Sequence, residues 1–481
     1  MNFAIVRYLI GWMLGIESIF LLLPALTAVI YGEPELPAYL IAAAISLAGA
    51  ALLCHRKPKN TRFYAREGYV TVALCWLILA VIGALPFVLS REIPFFIDAL
   101  FETVSGFTTT GATILGDVEA LSHASMLWRC LTHWVGGMGV LVFMLIVLPL
   151  AGGQTIFLMR AESPGPSVSK MSPRMRDTAT ILYAIYFGLT VLQMILLLIG
   201  GMPFFDAICV SLGTAGTGGF GNWNDSIAHY NSAYLQNVIT VFMILFGINF
   251  SAYFLILTRK FRQAFRIEEI RVYLGVIFVF AGLIAFNVRP MFGSLRESFH
   301  HALFQVASII TTTGFSTVDF DQWPTFSRAL LVLLMFIGAC AGSTGGGIKC
   351  SRILLLGKSV KKELMCLIHP RLVRVNKMDG QRVPHEVMRS INVFVVAYAF
   401  IFILSLLIIS LNCEDLVTCF TSVATTLNNV GPGLSLCGPT CNFGFFPPLS
   451  KCVLIFDMLA GRLELFPMLL LFTPGTWQRN K

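Results

Sequence analysis

Asp98-Ala99-Leu100-Phe101-Glu102-Thr103-Val104-Ser105-Gly106-Phe107-Thr108-Thr109-Thr110-Gly111 returns much later in the chain as His301-Ala302-Leu303-Phe304-Gln305-Val306-Ala307-Ser308-Ile309-Ile310-Thr311-Thr312-Thr313-Gly314. Two weaker copies keep the spacing. Asp206-Ala207-Ile208 leads after thirteen positions to Gly219, and Thr418-Cys419-Phe420-Thr421 leads after thirteen to Gly431. Internal periodicity of this kind identifies the structural unit before any detail of fold. Each copy reads as a short apolar helix of about ten to twelve residues followed by a polar, glycine-rich strip. A helix that short cannot cross about 30 Å of hydrocarbon. It must enter and return, and irregular backbone at that depth is tolerated only where protein buries it or where it lines a watery cavity. Four such strips can close around one axis.

The composition agrees with a membrane setting. Charged residues make up 12% of 481 and apolar residues 56%, with a mean hydropathy of +0.78; soluble domains carry about 25% charged residues. Runs of about 20 apolar residues fall near 3–31, 36–54, 69–90, 126–152, 177–200, 234–258, 271–287, 326–356, 389–411 and 451–472. The expected fold is an all-α polytopic membrane protein of about ten transmembrane helices, with four re-entrant pore helices in pseudo-fourfold arrangement. The units expected are a two-helix N-terminal unit at 1–66 and four pore-loop repeats at 67–176, 177–270, 271–388 and 389–481. The segment around Arg7 has the charge pattern of a signal peptide, but its apolar run is long and reads as a retained first span.

The formal charge of +9 is directional. His55 to Arg66 holds five Lys or Arg, Arg160 to Arg176 four, Arg259 to Arg271 five and Lys349 to Arg389 ten. With Arg7, Arg479 and Lys481 these are 27 of the 34 basic residues. Ten crossings put all of them on one face, together with both termini, and the excess of Lys and Arg marks that face as cytoplasmic. The basic residues thus face the cytoplasm and the lipid bilayer, and no nucleic-acid partner is expected. Twelve cysteines at low density exclude a disulfide scaffold; Cys437 and Cys441, expected outside, could pair in an oxidising compartment.

Gly111, Gly219, Gly314 and Gly431 share one register. Glycine lets the backbone turn its carbonyls toward an axis without obstructing the lumen, and rings of carbonyls replace part of a cation's hydration shell. Thr108 to Thr110, Thr217, Thr311 to Thr313, Asn428 and Asn429 add hydroxyl, carbonyl and amide oxygens. No strip contains Lys or Arg. If the short helices enter from outside, their carboxyl ends point toward the pore centre and carry partial negative charge, which favours a cation.

These residues resemble the Trk/Ktr/HKT potassium transporter superfamily, specifically its TrkH/TrkG-type membrane subunit. The marks are Thr-Thr-Thr-Gly at 108–111, Gly-Gly-Phe at 218–220, Thr-Thr-Thr-Gly-Phe-Ser-Thr at 311–317, Asn-Asn-Val-Gly at 428–431, Gly-Ser-Thr-Gly-Gly-Gly-Ile-Lys at 342–349 and Gly-Arg-Leu-Glu at 461–464. The resemblance covers almost the whole chain and implies a potassium filter, with Thr109, Thr110, Gly111, Gly218, Gly219, Thr312, Thr313, Gly314, Asn429, Val430 and Gly431 as filter residues. The expected potassium ligands come from Thr110, Gly111, Gly218, Gly219, Thr313, Gly314, Val430 and Gly431. Gly111 stands where a serine accompanies sodium transport in some plant relatives, so the chain is read as potassium-preferring. The sequences Gly431-Pro432-Gly433 and Gly219-Phe220-Gly221 depart from the family's pattern.

Gly338 and then Gly342 to Gly347 interrupt the eighth run with four glycines in six positions, which should unwind it. The stretch is similar to the family's gate loop, and Gly342, Gly345, Gly346, Gly347 and Lys349 are the expected gate residues. Arg462 lies within the last apolar run, where an ionisable group is expensive and usually faces a cavity or a partner. The resemblance makes it an electrostatic barrier below the filter; a salt bridge to Asp457 or to a carboxylate on another helix is the structural alternative.

Gly216 to Gly221 matches a dinucleotide fingerprint in letters only, because it follows a short membrane helix instead of a strand. Gly342 to Lys349 fails as a phosphate loop, since Ile348 separates Gly347 from Lys349 and Cys350 replaces the Ser or Thr. His133 reads as an interior residue. No nucleophile, base and oxyanion set is visible, so no enzyme and no covalent cofactor are expected. The resemblance implies a homodimer in the bacterial inner membrane. It also implies a cytosolic TrkA-type regulator that binds a nucleotide, ATP/ADP or NAD. An ion-coupled secondary transporter with a mid-membrane site is the alternative, weakened by four repeats of one sense and by strips nearly free of carboxylates.

Overall fold

The computed structural model describes residues 1–58, 64–137, 139, 175–371 and 375–478. Among the described residues the regular structure is helical apart from a two-stranded antiparallel hairpin, β1 (Lys377–Met378) and β2 (Gln381–Arg382), in which Lys377 faces Arg382. Six helices among the described residues are long and apolar enough to cross a bilayer, or seven if one bent pair counts as a single span.

The first two, α1 (Phe3–Tyr31) and α2 (Leu36–Cys54), pack against each other and have the lengths read from the sequence. Gly11 makes this closeness possible, because a methyl there would lie 2.9 Å from the Leu53 side chain. The chain continues through α3 (Ala65–Ser90), short α4 (Phe96–Phe107) and α5 (His123–Gly137). The latter half of the apolar run at 126–152, the basic stretch through Arg174, and Arg479 with Lys481 lie outside the described residues. Next come α6 (Met175–Ile199), short α7 (Phe204–Gly216), α8 (Ala233–Phe246) and α9 (Phe250–Leu257).

The run at 234–258 is not one straight helix, since α8 and α9 meet at 92°. Asn249 explains the break: its side-chain oxygen accepts the Ser251 N–H at 2.8 Å and starts α9 as an N-cap. After α10 (Glu268–Val288) and α11 (Leu295–Ile310), the run at 326–356 divides into α12 (Thr325–Ile337) and α13 (Cys350–Ile368) around the irregular segment 338–349. The last units are α14 (His385–Ile409), short α15 (Leu416–Leu427), α16 (Pro448–Arg462) and α17 (Phe466–Leu471). The run at 451–472 is therefore also broken. Arg462 closes α16 instead of standing mid-span, with Glu464 and Leu465 at positive φ. The last turn is a favourable place for a cation, beside the negative end of the helix dipole.

The largest apolar cluster joins α1 to α5 with α14 to α17, so the start and end of the chain share one core. Cys437 is buried, Cys441 is exposed, and both are free thiols.

Asp415 caps α15 by accepting the Val417 and Thr418 N–H groups at 3.2 and 3.0 Å. The Thr418 and Ser435 hydroxyls hold its carboxyl down at about 2. A depressed folded value contributes stability that is complete above about 3.9 and is lost as pH falls through 2. Asp415→Ala is expected to cost about 1 kcal/mol in thermal unfolding at pH 6, with the gap unchanged at pH 5. A variant as stable as the parent at pH 6 would remove this cap.

Candidate functional site: a ring of four backbone strips

The four short helices end in one way. At α4 the Thr109 N–H bonds the Gly106 carbonyl at 3.0 Å and the Thr110 N–H bonds that of Ser105 at 2.9 Å. The same two bonds recur as Thr217 to Thr214 and Gly218 to Gly213, Thr312 to Ile309 and Thr313 to Ser308, and Asn429 to Thr426 and Val430 to Thr425. This is the Schellman closure, which needs a left-handed residue. Thr109, Thr217, Thr312 and Asn429 supply it at φ 55°, 54°, 58° and 56°. A non-glycine residue there costs about 1–2 kcal/mol, and the chain accepts that cost four times. Two residues further on, Gly111, Gly219, Gly314 and Gly431 turn again, at φ 80°, 79°, 84° and 98°.

The strips then meet in cyclic order. A methyl built on Gly111 would overlap the Gly218 carbonyl oxygen, and one on Gly219 would overlap that of Thr313. On Gly314 it would lie 2.6 Å from the Val430 oxygen, and on Gly431 2.6 Å from the Thr110 oxygen. Each glycine thus abuts the carbonyl that precedes the next glycine, and the fourth leads back to the first. Thr109, Thr110, Gly218, Thr312, Thr313, Asn429 and Val430 all belong to this ring. A cavity of about 130 Å³ lies against Gly111, Gly219, Gly314 and Gly431. Among the described residues no cluster of His, Cys, Asp and Glu could hold a metal ion. The oxygens at the ring are those of backbone, Thr and Asn.

The segment 338–349 lies against the deep ends of the third and fourth strips. The Gly346 N–H donates to the Thr312 hydroxyl at 2.6 Å and the Gly347 N–H to the Asn428 carbonyl at 3.0 Å. A methyl on Gly345 would stand 2.8 Å from the Thr311 carbonyl oxygen, and one on Gly346 would overlap that of Asn428. Lys349 folds back and bonds the Gly345 carbonyl. The φ of 73° at Gly342 lets its carbonyl accept the Phe250 N–H at 3.0 Å, while the Cys340 N–H reaches the Gly247 carbonyl at 3.1 Å. The segment and the α8–α9 bend therefore satisfy each other's opened backbone, as an interior break must.

Arg462 joins this region to the first repeat. Its η nitrogens donate to the Thr344 carbonyl at 2.8 Å and to those of Gly136 and Gly137 at 2.6 and 2.9 Å. Asp457, the candidate partner on its own helix, accepts instead from Ser405 at 2.7 Å. Glu464 pairs with Arg352, whose guanidinium also lies 4.2 Å over the Phe394 ring.

Sequence reasoning missed Glu269. It is 3% exposed, and one carboxylate oxygen accepts the Ala341 N–H at 2.7 Å and the Ser351 N–H at 3.0 Å, holding both ends of the segment. A pair of carboxylates, Glu268 and Glu269, in the first turn of a helix that turns apolar beyond Arg271 was the available signal. His133 is an interior residue, hydrogen-bonded to the Gly106 carbonyl at 2.7 Å and stacked on Phe220.

A helical chain with at least six membrane-length apolar helices among its described residues and an internal ring of repeated backbone turns is a multi-pass membrane protein. Residues 37–478 match the family described as TrkH, cation transport protein. The Trk system potassium uptake protein TrkH of Salmonella typhimurium strain LT2 is 38% identical over 485 residues, covering 99% of this chain and 100% of that protein. TrkG of Escherichia coli K12, of the same system, is 33% identical with 98% of each covered. The crystal structure of the potassium transporter TrkH from Vibrio parahaemolyticus matches with a TM-score of 0.90 and 33% identity, over 99% of this chain and 100% of that one. The chain belongs to the TrkH family.

The Asn429 amide donates to the Thr110 hydroxyl at 3.0 Å and to the Met458 carbonyl at 2.9 Å, tying the fourth strip to the first. Asn429→Ala should lose about 2 kcal/mol, two buried hydrogen bonds at about 1 each. A lower thermal midpoint of the purified protein is expected; an unchanged midpoint would contradict this role.

Proposed function

We propose that this chain carries potassium into the cell through the ring of strips, with the backbone carbonyls around Gly111, Gly219, Gly314 and Gly431 as the selectivity filter. The observation that carries the reading is the cyclic contact of each glycine with the carbonyl before the next. Carbonyls held at one level can stand in for the water around a cation, and the close approach leaves no room for a side chain to change the spacing. The potassium ligands are Thr110, Gly111, Gly218, Gly219, Thr313, Gly314, Val430 and Gly431, with Thr109, Thr312 and Asn429 shaping the turns beneath. Relatives named as potassium uptake proteins support potassium as the ion.

In this reading the short helices are re-entrant pore helices and the chain crosses the bacterial inner membrane ten times, both termini inside. The repeats are 67–176, 177–270, 271–388 and 389–481, with 1–66 as an added unit. Their carboxyl ends converge below the filter and favour a cation. The segment bearing Gly342, Gly345, Gly346, Gly347 and Lys349 is the gate, and Arg462 a fixed positive barrier beside it. A homodimer of this subunit and a cytosolic TrkA-type, nucleotide-binding regulator complete the assembly, the regulator meeting the basic cytoplasmic face.

Two substitutions test this. Gly111→Ser forces a side chain against the Gly218 carbonyl, and the K⁺/Na⁺ permeability ratio, read from reversal potentials in bilayers, should fall about tenfold or more. An unchanged ratio would remove Gly111 from the filter. Arg462→Gln removes a charge from the path and should raise K⁺ flux into proteoliposomes. Unchanged flux at equal protein would end the barrier assignment.

A further inference from the structure

Glu102 stands nine positions before Gly111, on the helix that presents the first strip, and is 1% exposed. Its carboxylate does three things at once. It accepts the Thr113 hydroxyl at 3.0 Å and the Ile114 N–H at 3.0 Å, both on the stretch leading outward from Gly111, and the Arg129 Nε–H at 2.8 Å. Arg129, on α5, is 2% exposed. Its guanidinium carbon lies 4.1 Å from the centre of the ring of Phe220, the residue after Gly219, and His133 stacks on the same ring at 4.1 Å. One buried ion pair therefore touches the outward arms of two neighbouring strips.

The third repeat has a neutral residue at the matching place. Gln305, nine before Gly314, donates to the Val318 carbonyl at 3.3 Å and ties its helix to its own outward arm without any charge. A neutral tie is thus sufficient to hold an arm. The first repeat instead spends a buried carboxylate, and beside it an arginine that also lines the cavity in front of the four glycines. A guanidinium lining the cavity at the mouth of a cation path repels the ion that must enter. The carboxylate at 2.8 Å cancels that repulsion while leaving the cation–π contact intact.

We propose that Glu102 and Arg129 are a charge-balanced pair of positioning residues for ion entry: Arg129 seats Phe220 and with it the second strip, Glu102 seats Thr113 and Ile114 of the first, and the carboxylate neutralises the arginine's field at the outer mouth. The proposal rests on the four strips being the ion path. It predicts a signature that mere packing does not produce, because a field at the mouth is screened by salt and a packing defect is not. The Debye length is about 30 Å at 0.01 M and about 3 Å at 1 M ionic strength.

The test is K⁺ current through the purified full-length protein in planar bilayers, at constant K⁺ of about 10 mM with ionic strength raised by choline chloride to about 1 M. Glu102→Gln keeps the shape and leaves the arginine unneutralised. Its K⁺ current should fall about fivefold at low ionic strength and approach the parent's at high ionic strength. Glu102→Asp retains the charge and should recover most of the low-salt current. Arg129→Gln leaves the carboxylate alone and also unseats Phe220, so its ratio of low-salt to high-salt current should rise above the parent's, whatever the lost seat costs at both. Equal impairment of Glu102→Gln and Glu102→Asp at both ionic strengths, or a low-to-high ratio in Arg129→Gln that falls together with that of Glu102→Gln, would reduce the pair to packing and overturn the proposal. Should Glu102→Gln fail to fold, Glu102→Asp and Arg129→Gln still decide, the first by a parent-like ratio and the second by a raised one. Failure of the filter reading is separate: it would appear as an unaltered K⁺/Na⁺ ratio in Gly111→Ser, whatever the Glu102 variants do.

Discussion

Four backbones meeting at a distance that excludes a β-carbon is the constraint on which the rest of this structure depends. Because Gly111 abuts the Gly218 carbonyl, Gly219 that of Thr313, Gly314 that of Val430 and Gly431 that of Thr110, no strip can move without its neighbours. The short helices must then end at one level, which the repeated left-handed residue and its two Schellman bonds accomplish. Polar backbone at membrane depth is costly unless satisfied. Most of the interior chemistry serves that need: Thr108 bonds the Val104 carbonyl and the Thr110 hydroxyl, and Thr311 does the same with Ala307 and Thr313.

The second organising element is a pair of breaks that complete each other. The α8–α9 bend exposes Phe246, Gly247 and Phe250 backbone groups, and the segment 338–349 offers the matching ones, with Glu269 fastening it at Ala341 and Ser351. Arg462 adds a bond to the Thr344 carbonyl and two to the end of α5. The segment is held mainly by hydrogen bonds and close glycine contacts, and Ile348 near its end packs into the largest apolar cluster.

Much of this was legible in the sequence. The lengths of α1 and α2, the common register of the four glycines and the unwinding of 338–349 follow from hydropathy, spacing and glycine content. The ring order was not legible, since nothing local says which carbonyl each glycine will meet. The breaks at 247–249 and 463–465 were hidden because the flanking residues stay apolar, and the left-handed positions at the second break and in the strips are Glu, Leu, Thr and Asn instead of Gly. Arg462 looked mid-span for the same reason. Long-range pairs such as Glu102 with Arg129 and Arg352 with Glu464 join residues whose partners no periodicity announces. The family resemblance carried no information on Glu269 or Glu102.

The central claim is that the ring is a passive, cation-selective path and not a site that carries its ion by coupling. Single-channel recording from the purified chain in a planar bilayer tests it most directly. The account predicts discrete current steps in K⁺ that reverse at the potassium equilibrium potential. Potassium uptake without current steps, dependent on a proton or sodium gradient, would contradict it.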